Sequence, residues 1–303
     1  MKIDRFFFAP ASPLPLGILR ILIASVLLIQ AALIAPHFYE LYGADGIFQG
    51  PLQIYFSSDT VPGVVSFARW MDAFGMSEPN ALRLLGAIYV ASLVFFLLGL
   101  ATRLSSVLVW FTHLLIGGAH VTSYGVDQFA HFLLFYFTWM PMGHALSLDK
   151  LWGRVSGKPT AWARFSLRVL QVHLAIAYLA SGIDKSFGDQ WWNGEAIWRS
   201  LMQPIYMHFD MAWVASVPWL AKIFSWGTLL VEIGYPFFIF PTRTRKLWVL
   251  LTVSMHFGIG LFLGLHTFAA LMAFLTLCLF GVPATPGIEK EVIPQPRPVD
   301  YRV

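Results

Sequence analysis

Eight long apolar segments constrain this chain more than any other feature. Only 12% of its 303 residues are charged and 57% are hydrophobic, whereas soluble domains carry about 25% charged residues. A soluble fold of this size cannot bury so much apolar surface, so the sequence predicts an all-α polytopic membrane protein with about eight transmembrane helices. The predicted spans lie near 14–36, 82–101, 104–122, 127–143, 165–183, 219–240, 246–264 and 266–282.

The distribution of basic residues predicts how these spans are oriented. If the N-terminus is cytoplasmic, most Lys and Arg residues fall in cytoplasmic segments, as the positive-inside rule requires. Both termini are therefore predicted to be cytoplasmic. The net charge of +4 then reflects loop charge and does not indicate nucleic-acid binding. The opposite face carries fewer basic residues, which are Arg69, Arg83, Lys185, Arg199 and Lys222.

Two outer loops and a C-terminal tail complete the predicted domain plan. The loops near 37–81 and 184–218 are rich in Trp, which is typical of segments that lie in the membrane interface. Long loops are usually functional, so we expect the function on the extracytoplasmic face. Residues 284–303 are rich in Pro and are predicted to be disordered, which leaves 1–283 as one transmembrane domain.

Lys185 is the most informative single residue, because it lies where an apolar segment meets a polar loop. A desolvated amine in such a place gives up its proton readily enough to act as a base. The ordinary alternative is a snorkelling lysine that complements the end of a helix and pairs with Asp184. The sequence leaves both interpretations open, and most of the functional question depends on which of them holds.

The histidines and the single cysteine restrict the possible chemistry. No metal-binding motif is present, so no metal site is predicted. Cys278 has no second cysteine to form a disulfide or a redox pair. His256 and His266 are expected near the level of Lys185, where they would line the same cavity. The remaining histidines of the spans are expected to be hydrogen-bonded inside the bundle, and they are His113, His120, His131 and His173.

Further ionisable residues lie within or beside the spans, where charge is costly without a partner. Asp127 opens the fourth span, either as a helix cap or as a partner of Lys185 or a histidine. Arg20 and Glu232 are candidates for a buried ion pair.

The run around Lys185 also carries a resemblance to a known family. Residues 178–194 read Y-L-A-S-G-I-D-K-S-F-G-D-Q-W-W-N-G, which resembles the signature of the horizontally transferred transmembrane (HTTM) domain, shared with vitamin K-dependent gamma-carboxylases. Arg20 in L-G-I-L-R-I-L, Gly125 to Asp127, L-S-L-D at 146–149 and a late helix with His256 occur in the same order. The resemblance covers about residues 12–282.

This resemblance implies a membrane enzyme of a bacterial inner membrane that binds a reduced quinone similar to vitamin K or menaquinol. In the carboxylases, a lysine matching Lys185 is held to deprotonate the reduced vitamin, and a peptide glutamate is then carboxylated. The substrate here would be a secreted peptide or a small molecule. The implied catalytic residues are Lys185, His256 and Asp127, and the implied cofactor-binding residues are Tyr178, Trp191, Trp192 and His266.

Two departures keep other functions open. The chain ends soon after the eighth span, without the extramembrane domain of the carboxylases, and Asp127 stands where they carry a functional histidine. A non-catalytic membrane subunit for peptide maturation, export or partner binding is the main alternative, because exposed Trp residues are common at interfaces. A transporter ranks last, because the sequence shows no inverted repeat.

Overall fold

The computed structural model describes residues 2–47, 61–117, 125–205 and 209–284. Over these residues the secondary structure is helical, apart from turns and one isolated antiparallel bridge between Ala11 and Thr160. The all-α prediction is therefore confirmed. Several predicted features lie partly or wholly outside the described residues: 285–303 of the tail predicted at 284–303, 48–60 of the loop near 37–81, 206–208 of the loop near 184–218, and His120.

The chain forms fourteen α-helices in the described residues, and they range from 4 to 26 residues in length. In order they are α1 (Lys2–Phe8), α2 (Leu14–Ile34), α3 (Phe38–Tyr42), α4 (Val64–Asp72), α5 (Glu78–Leu98), α6 (Thr102–Gly117), α7 (Gly125–Phe137), α8 (Leu148–Leu151), α9 (Ala161–Ser186), α10 (Asp189–Asn193), α11 (Glu195–Met202), α12 (Pro218–Phe238), α13 (Thr242–Leu263) and α14 (His266–Thr276). A π-helical turn, Leu277–Gly281, continues α14.

Each predicted span overlaps one helix of the described residues. Within the described residues, four helical segments are long and apolar enough to cross a membrane: Leu14–Tyr42, Glu78–Leu98, Ala161–Ser186 and Thr242–Leu263. Other helices are shorter, such as α7 with 13 residues. A helix of that size is about 20 Å long, which is less than the hydrocarbon core of about 30 Å. The chain is thus a helical membrane protein, and the number of eight spans stays a prediction.

The long helices pack as two neighbouring groups. Helices α2, α5, α6 and α7 form the first group, and α9, α12, α13 and α14 form the second, with α14 packed on both α2 and α7. Glycine permits the closest approach in the second group, since a Cβ at Gly182 of α9 would lie 2.9 Å from the backbone nitrogen of Ile233 in α12. This contact brings the end of α9 against the middle of α12.

At one end of the bundle, buried Arg20 of α2 joins three parts of the chain. Its guanidinium donates hydrogen bonds to the carbonyls of Phe96 and Leu97, at the end of α5, and to Leu146. Gly99 follows with a left-handed φ of 68°, and a side chain there would collide with Ser147. We call Arg20 and its three carbonyl partners the Arg20 cluster.

Asp149 closes the same end of the molecule. Its carboxylate accepts hydrogen bonds from the backbone nitrogens of Ala101 (3.0 Å) and Thr102 (2.7 Å) and from the Thr102 hydroxyl (2.7 Å). Burial alone would raise the pKa of Asp149, but these bonds and Arg154 together lower it below the ordinary value. The L-S-L-D motif is therefore a structural turn, which ties the start of α6 to α8.

Candidate functional site

Lys185 lies in the last turn of α9 and forms an ion pair with Glu232 of α12. The Lys185 ammonium is 2.9 Å from Glu232 Oε2 and 3.1 Å from Oε1, and it also donates to the Ser181 hydroxyl one turn earlier. The Lys185 side chain is 24% exposed and that of Glu232 is 9% exposed. The amine is thus held at the edge of the bundle rather than extended into water.

This geometry corrects two predicted pairings. Asp184, the expected neighbour of Lys185, is exposed, and the carboxylate beside the amine belongs to Glu232. The predicted pair between Arg20 and Glu232 is also wrong, since Arg20 binds backbone carbonyls at the other end of the bundle. A charge in an apolar helix requires a partner, but the helix sequence alone does not identify it.

The two tryptophans that follow Lys185 differ in position. The Lys185 ammonium lies 5.4 Å from the centroid of the Trp191 ring, which is within cation–π range. Trp192 is half exposed. Its indole nitrogen donates to the carbonyl of Ser186 at 2.8 Å, and its own carbonyl accepts from Trp226 at 3.0 Å. Trp191 therefore borders the amine, whereas Trp192 braces the short helix α10 against its neighbours.

A buried aromatic group lies behind the ion pair. Tyr178 precedes Lys185 by two helical turns and therefore shares its face of α9. Its hydroxyl is 2.7 Å from Nε2 of buried His256, in α13. The Tyr178 ring stacks on Tyr235 of α12 at 4.2 Å, and the Tyr235 hydroxyl is 3.3 Å from that of Thr276. Tyr178 and His256, two of the predicted residues, are thus in direct contact.

His256 has one ring nitrogen that the described residues do not satisfy. Its Nδ1 atom is buried without a hydrogen-bond partner among them. Buried polar atoms in proteins are nearly always paired with protein, water or ligand. The Nδ1 atom therefore marks a place where a small polar group would be stabilised.

His266 and Asp127 lie apart from the ion pair. His266 is exposed at the first residue of α14, and Phe268 of the same helix packs on His256, with ring centroids 5.5 Å apart. Asp127 accepts a hydrogen bond of 2.9 Å from Gln30 and acts electrostatically on His113. Asp127 was predicted to pair with Lys185 or with a histidine. In the structure it lies near His113, whereas Lys185 pairs with Glu232.

A polar group therefore surrounds Lys185, and sequence reasoning identified it only in part. The described residues hold no group of three His, Cys, Asp or Glu side chains placed for a metal ion. Glu232 was recognised as a costly charge, but its role beside Lys185 was missed. Tyr235 and Thr276 were not predicted, because nothing distinguishes them locally from other apolar-helix residues. We call Lys185, Ser181, Glu232 and Trp191 the Lys185 cluster.

Four membrane-length apolar segments define the class of this protein, a helical integral membrane protein. It carries a carboxylate–amine pair between α9 and α12 at the edge of its bundle. The chain belongs to the HTTM domain family, whose sequence pattern matches residues 8–283. It is similar to "Uncharacterized protein YitO" of Bacillus subtilis (strain 168), with 27% identity over 219 residues that cover 67% of this chain and 69% of that protein. No solved structure matches the chain. The predicted family resemblance is confirmed.

Proposed function

We propose that this protein is a membrane enzyme in which Lys185 and Glu232 together accept a proton from a quinol-like cofactor. The observation that carries the proposal is the partly buried ion pair of 2.9 Å at the end of α9. An ionisable pair between apolar helices of a membrane protein is a candidate functional site, because charge there is costly. The membership in a family related to the gamma-carboxylases supports the same chemistry.

The residues around Lys185 fit a ring-shaped, weakly acidic ligand. Trp191 offers an aromatic face beside the amine, and the unsatisfied Nδ1 atom of His256 offers a hydrogen-bonding group. When bound and reacting with oxygen, a reduced quinone supplies a base stronger than any amino-acid side chain. The part of this chain would be to hold such a ring against Trp191 and to take its hydroxyl proton.

The ion pair gives Lys185 a way to become a base. A lysine ammonium cannot accept a proton, but transfer of one proton to Glu232 leaves a neutral amine beside a neutral acid. Low-dielectric surroundings reduce the cost of this neutral state, because neither partner then carries a desolvated charge. After Lys185 takes the cofactor proton, Glu232 would release its own proton through the exposed edge of the cluster, which restores the ion pair.

Cofactor binding can be tested by mass spectrometry of small molecules that co-purify with the protein in mild detergent. A stoichiometric quinone in the wild type that is lost in Lys185→Met supports the proposal. Lys222→Met is the matched control, because Lys222 also lies over a tryptophan, Trp226, at 5.1 Å. A quinone-free wild type, or equal quinone content in all three proteins, would overturn the proposal.

The proposal includes a topology. We place all eight long helices across a bacterial inner membrane, with both termini cytoplasmic and the Lys185 cluster on the extracytoplasmic side. The basic residues at the Arg20 end of the bundle, such as Arg154 and Arg245, support it. In a Cys278→Ser background, an impermeant maleimide should label Asp72→Cys but not Lys158→Cys in intact cells. The reverse labelling would refute this orientation.

A second candidate function is a non-catalytic subunit that binds a secreted peptide or partner protein. It is favoured by large apolar side chains near the Lys185 cluster that face outward, such as Phe187, which is 83% exposed. Crosslinking from Phe187 and Trp213 distinguishes the cases. A stoichiometric crosslinked protein, together with an inert Lys185→Met substitution, would favour the subunit over the enzyme.

A further inference from the structure

A second cavity lies in the other helix group, away from Lys185. It is bounded by α2, α3, α5, α6 and the start of α7, and its volume is about 640 Å³. Sites for small molecules typically measure about 300–1,000 Å³. The cavity is therefore large enough to hold a ligand, and Lys185, Glu232 and Tyr178 are not among its lining residues.

The polar side of this cavity is built from residues on four helices. Asp127 of α7 accepts the hydrogen bond from Gln30 of α2. The hydroxyl of Tyr89 lies 3.2 Å from Nδ1 of His113, so α5 and α6 are joined beside the same carboxylate. All four side chains line the cavity. A hydrogen-bonded carboxylate in such a place forms a built polar site rather than a chance surface charge.

The remaining walls are aromatic and apolar. Phe38, Tyr39 and Tyr42 of α3 form one side, where the rings of Phe38 and Tyr42 lie 5.0 Å apart. Apolar residues of α2 and α5, such as Ile34 and Leu82, continue the lining. Aromatic faces beside a carboxylate are the usual surroundings of an alkylammonium group.

Two glycines show that part of the wall faces open space. A Cβ atom added at Gly86 or at Gly117 would meet no heavy atom within 4 Å, and both residues line the cavity. These glycines do not serve a close helix contact. Larger side chains placed there would fill the cavity without displacing the backbone.

The charges favour one class of ligand. Asp127 and Arg83 both line the cavity, but Asp127 lies on the polar side, whereas the guanidinium of Arg83 is exposed and donates to Asn80 at 3.1 Å. A carboxylate headgroup beside Asp127 would suffer like-charge repulsion in surroundings of low dielectric. An ammonium headgroup would gain a charge-assisted hydrogen bond as well as contact with the tyrosine rings.

We propose that this cavity binds an amphiphile with an ammonium headgroup, which contacts Asp127, and an apolar body, which lies between α2, α3 and α5. The site is separate from the Lys185 cluster and does not depend on the proposed quinol chemistry.

Photolabelling with three diazirine-tagged probes of equal chain length tests the proposal: an alkylamine, an alkyl alcohol and a fatty acid. The alkylamine should label peptides of α2, α3 and α5 about fivefold more than the alcohol, and the fatty acid least, because charge-assisted hydrogen bonds exceed neutral ones. Equal labelling by all three, or strongest labelling by the fatty acid, would overturn the ammonium assignment.

Three variants locate the binding. Gly86→Leu should remove most alkylamine labelling, whereas Gly227→Leu, whose site also has open space but lies outside the cavity, should not. Asp127→Asn should bring the alkylamine down to the level of the alcohol. Thermal unfolding in detergent checks that each variant is folded. Ala87 also lines the cavity, so Ala87→Leu takes the place of Gly86→Leu if that variant does not fold. Labelling unchanged by the cavity-filling substitutions would disprove the site.

Discussion

The Arg20 cluster and the Lys185 cluster both place a cation inside an apolar bundle, but they stabilise it differently. Arg20 is fully buried and is surrounded by backbone carbonyls, which cannot take up its proton. Lys185 is partly exposed and faces a carboxylate, which can. The first arrangement holds a permanent charge and joins helices, whereas the second permits proton exchange. The two cations therefore differ in partner as well as in burial, and only Lys185 faces a group that can accept its proton.

Removing the Arg20 guanidinium should have the largest effect on stability. Arg20→Met leaves the carbonyls of Phe96, Leu97 and Leu146 without their donor, at a cost of about 3–5 kcal/mol in the free energy of unfolding. Thermal unfolding in detergent would measure this loss. Arg103→Met, an exposed arginine at the same end, should change stability little. Equal stability of the two variants would mean that the Arg20 cluster is not structural.

Lys185→Met should separate function from stability. The substitution leaves Glu232 buried without its cation, at a cost of about 1–3 kcal/mol, while quinone binding and any activity are lost. The double variant Lys185→Met with Glu232→Gln should recover most of the stability but none of the function. If the double variant regained quinone binding, the pair would be structural like Arg20. Unfolding and co-purified quinone would be measured on the same preparations.

Asp149 gives the Arg20 end a pH dependence. Because its folded-state pKa is lower than the ordinary value of 3.8, its stabilisation is complete above about pH 4 and is lost as the pH falls through the folded-state pKa. Asp149→Asn should therefore cost about 1–2 kcal/mol near pH 7, and its difference in Tm from the wild type should shrink on acidification.

The control for that experiment is Asp184→Asn. Asp184 is an exposed carboxylate near the C-terminal end of α9. Its Tm should follow that of the wild type at every pH. A difference between Asp149→Asn and the wild type that stays constant from pH 7 to pH 3 would contradict the assigned role of the carboxylate.

The smallest effect is expected where the two tryptophans are compared. Trp191→Ala removes the aromatic face beside Lys185, worth about 0.5–1 kcal/mol, and should weaken quinone retention severalfold. Trp192→Ala should leave quinone retention unchanged, because the Trp192 indole is half exposed and donates to the carbonyl of Ser186. Quinone content after detergent exchange provides the measurement. A larger loss in Trp192→Ala than in Trp191→Ala would place the ligand elsewhere.

Much of the helical plan could be predicted, because it depends on local composition. Each predicted span overlaps a helix, since apolar stretches in a membrane satisfy their backbone groups only within a helix. Helix length was less predictable. The span expected near 127–143 ends at Phe137, where Thr138 to Gly143 turn instead, and apolar character alone does not distinguish a turn from a helix there.

Of the candidate site, the sequence predicted Lys185 and Trp191 but not the pairing with Glu232. Lys185 is conspicuous because a charge follows a long apolar run, and Trp191 follows within the same motif. Glu232 is equally conspicuous, but it lies 47 residues away, and the partner predicted for it was Arg20. Asp127 was grouped with Lys185 because Asp127 opens one apolar helix and Lys185 ends another, both on the predicted extracytoplasmic face. In the structure, α7 and α9 belong to different helix groups.

By itself, the sequence determined that this chain is a helical membrane protein, where its helices lie, and that Lys185 is unusual. These properties follow from hydropathy and from the cost of a charge beside apolar residues, which act locally along the chain. Only the tertiary structure decided which carboxylate meets Lys185 and which cavity receives Asp127. Partner choice depends on how helices are rotated and how closely they approach, as at Gly182, and many distant contacts determine that packing together.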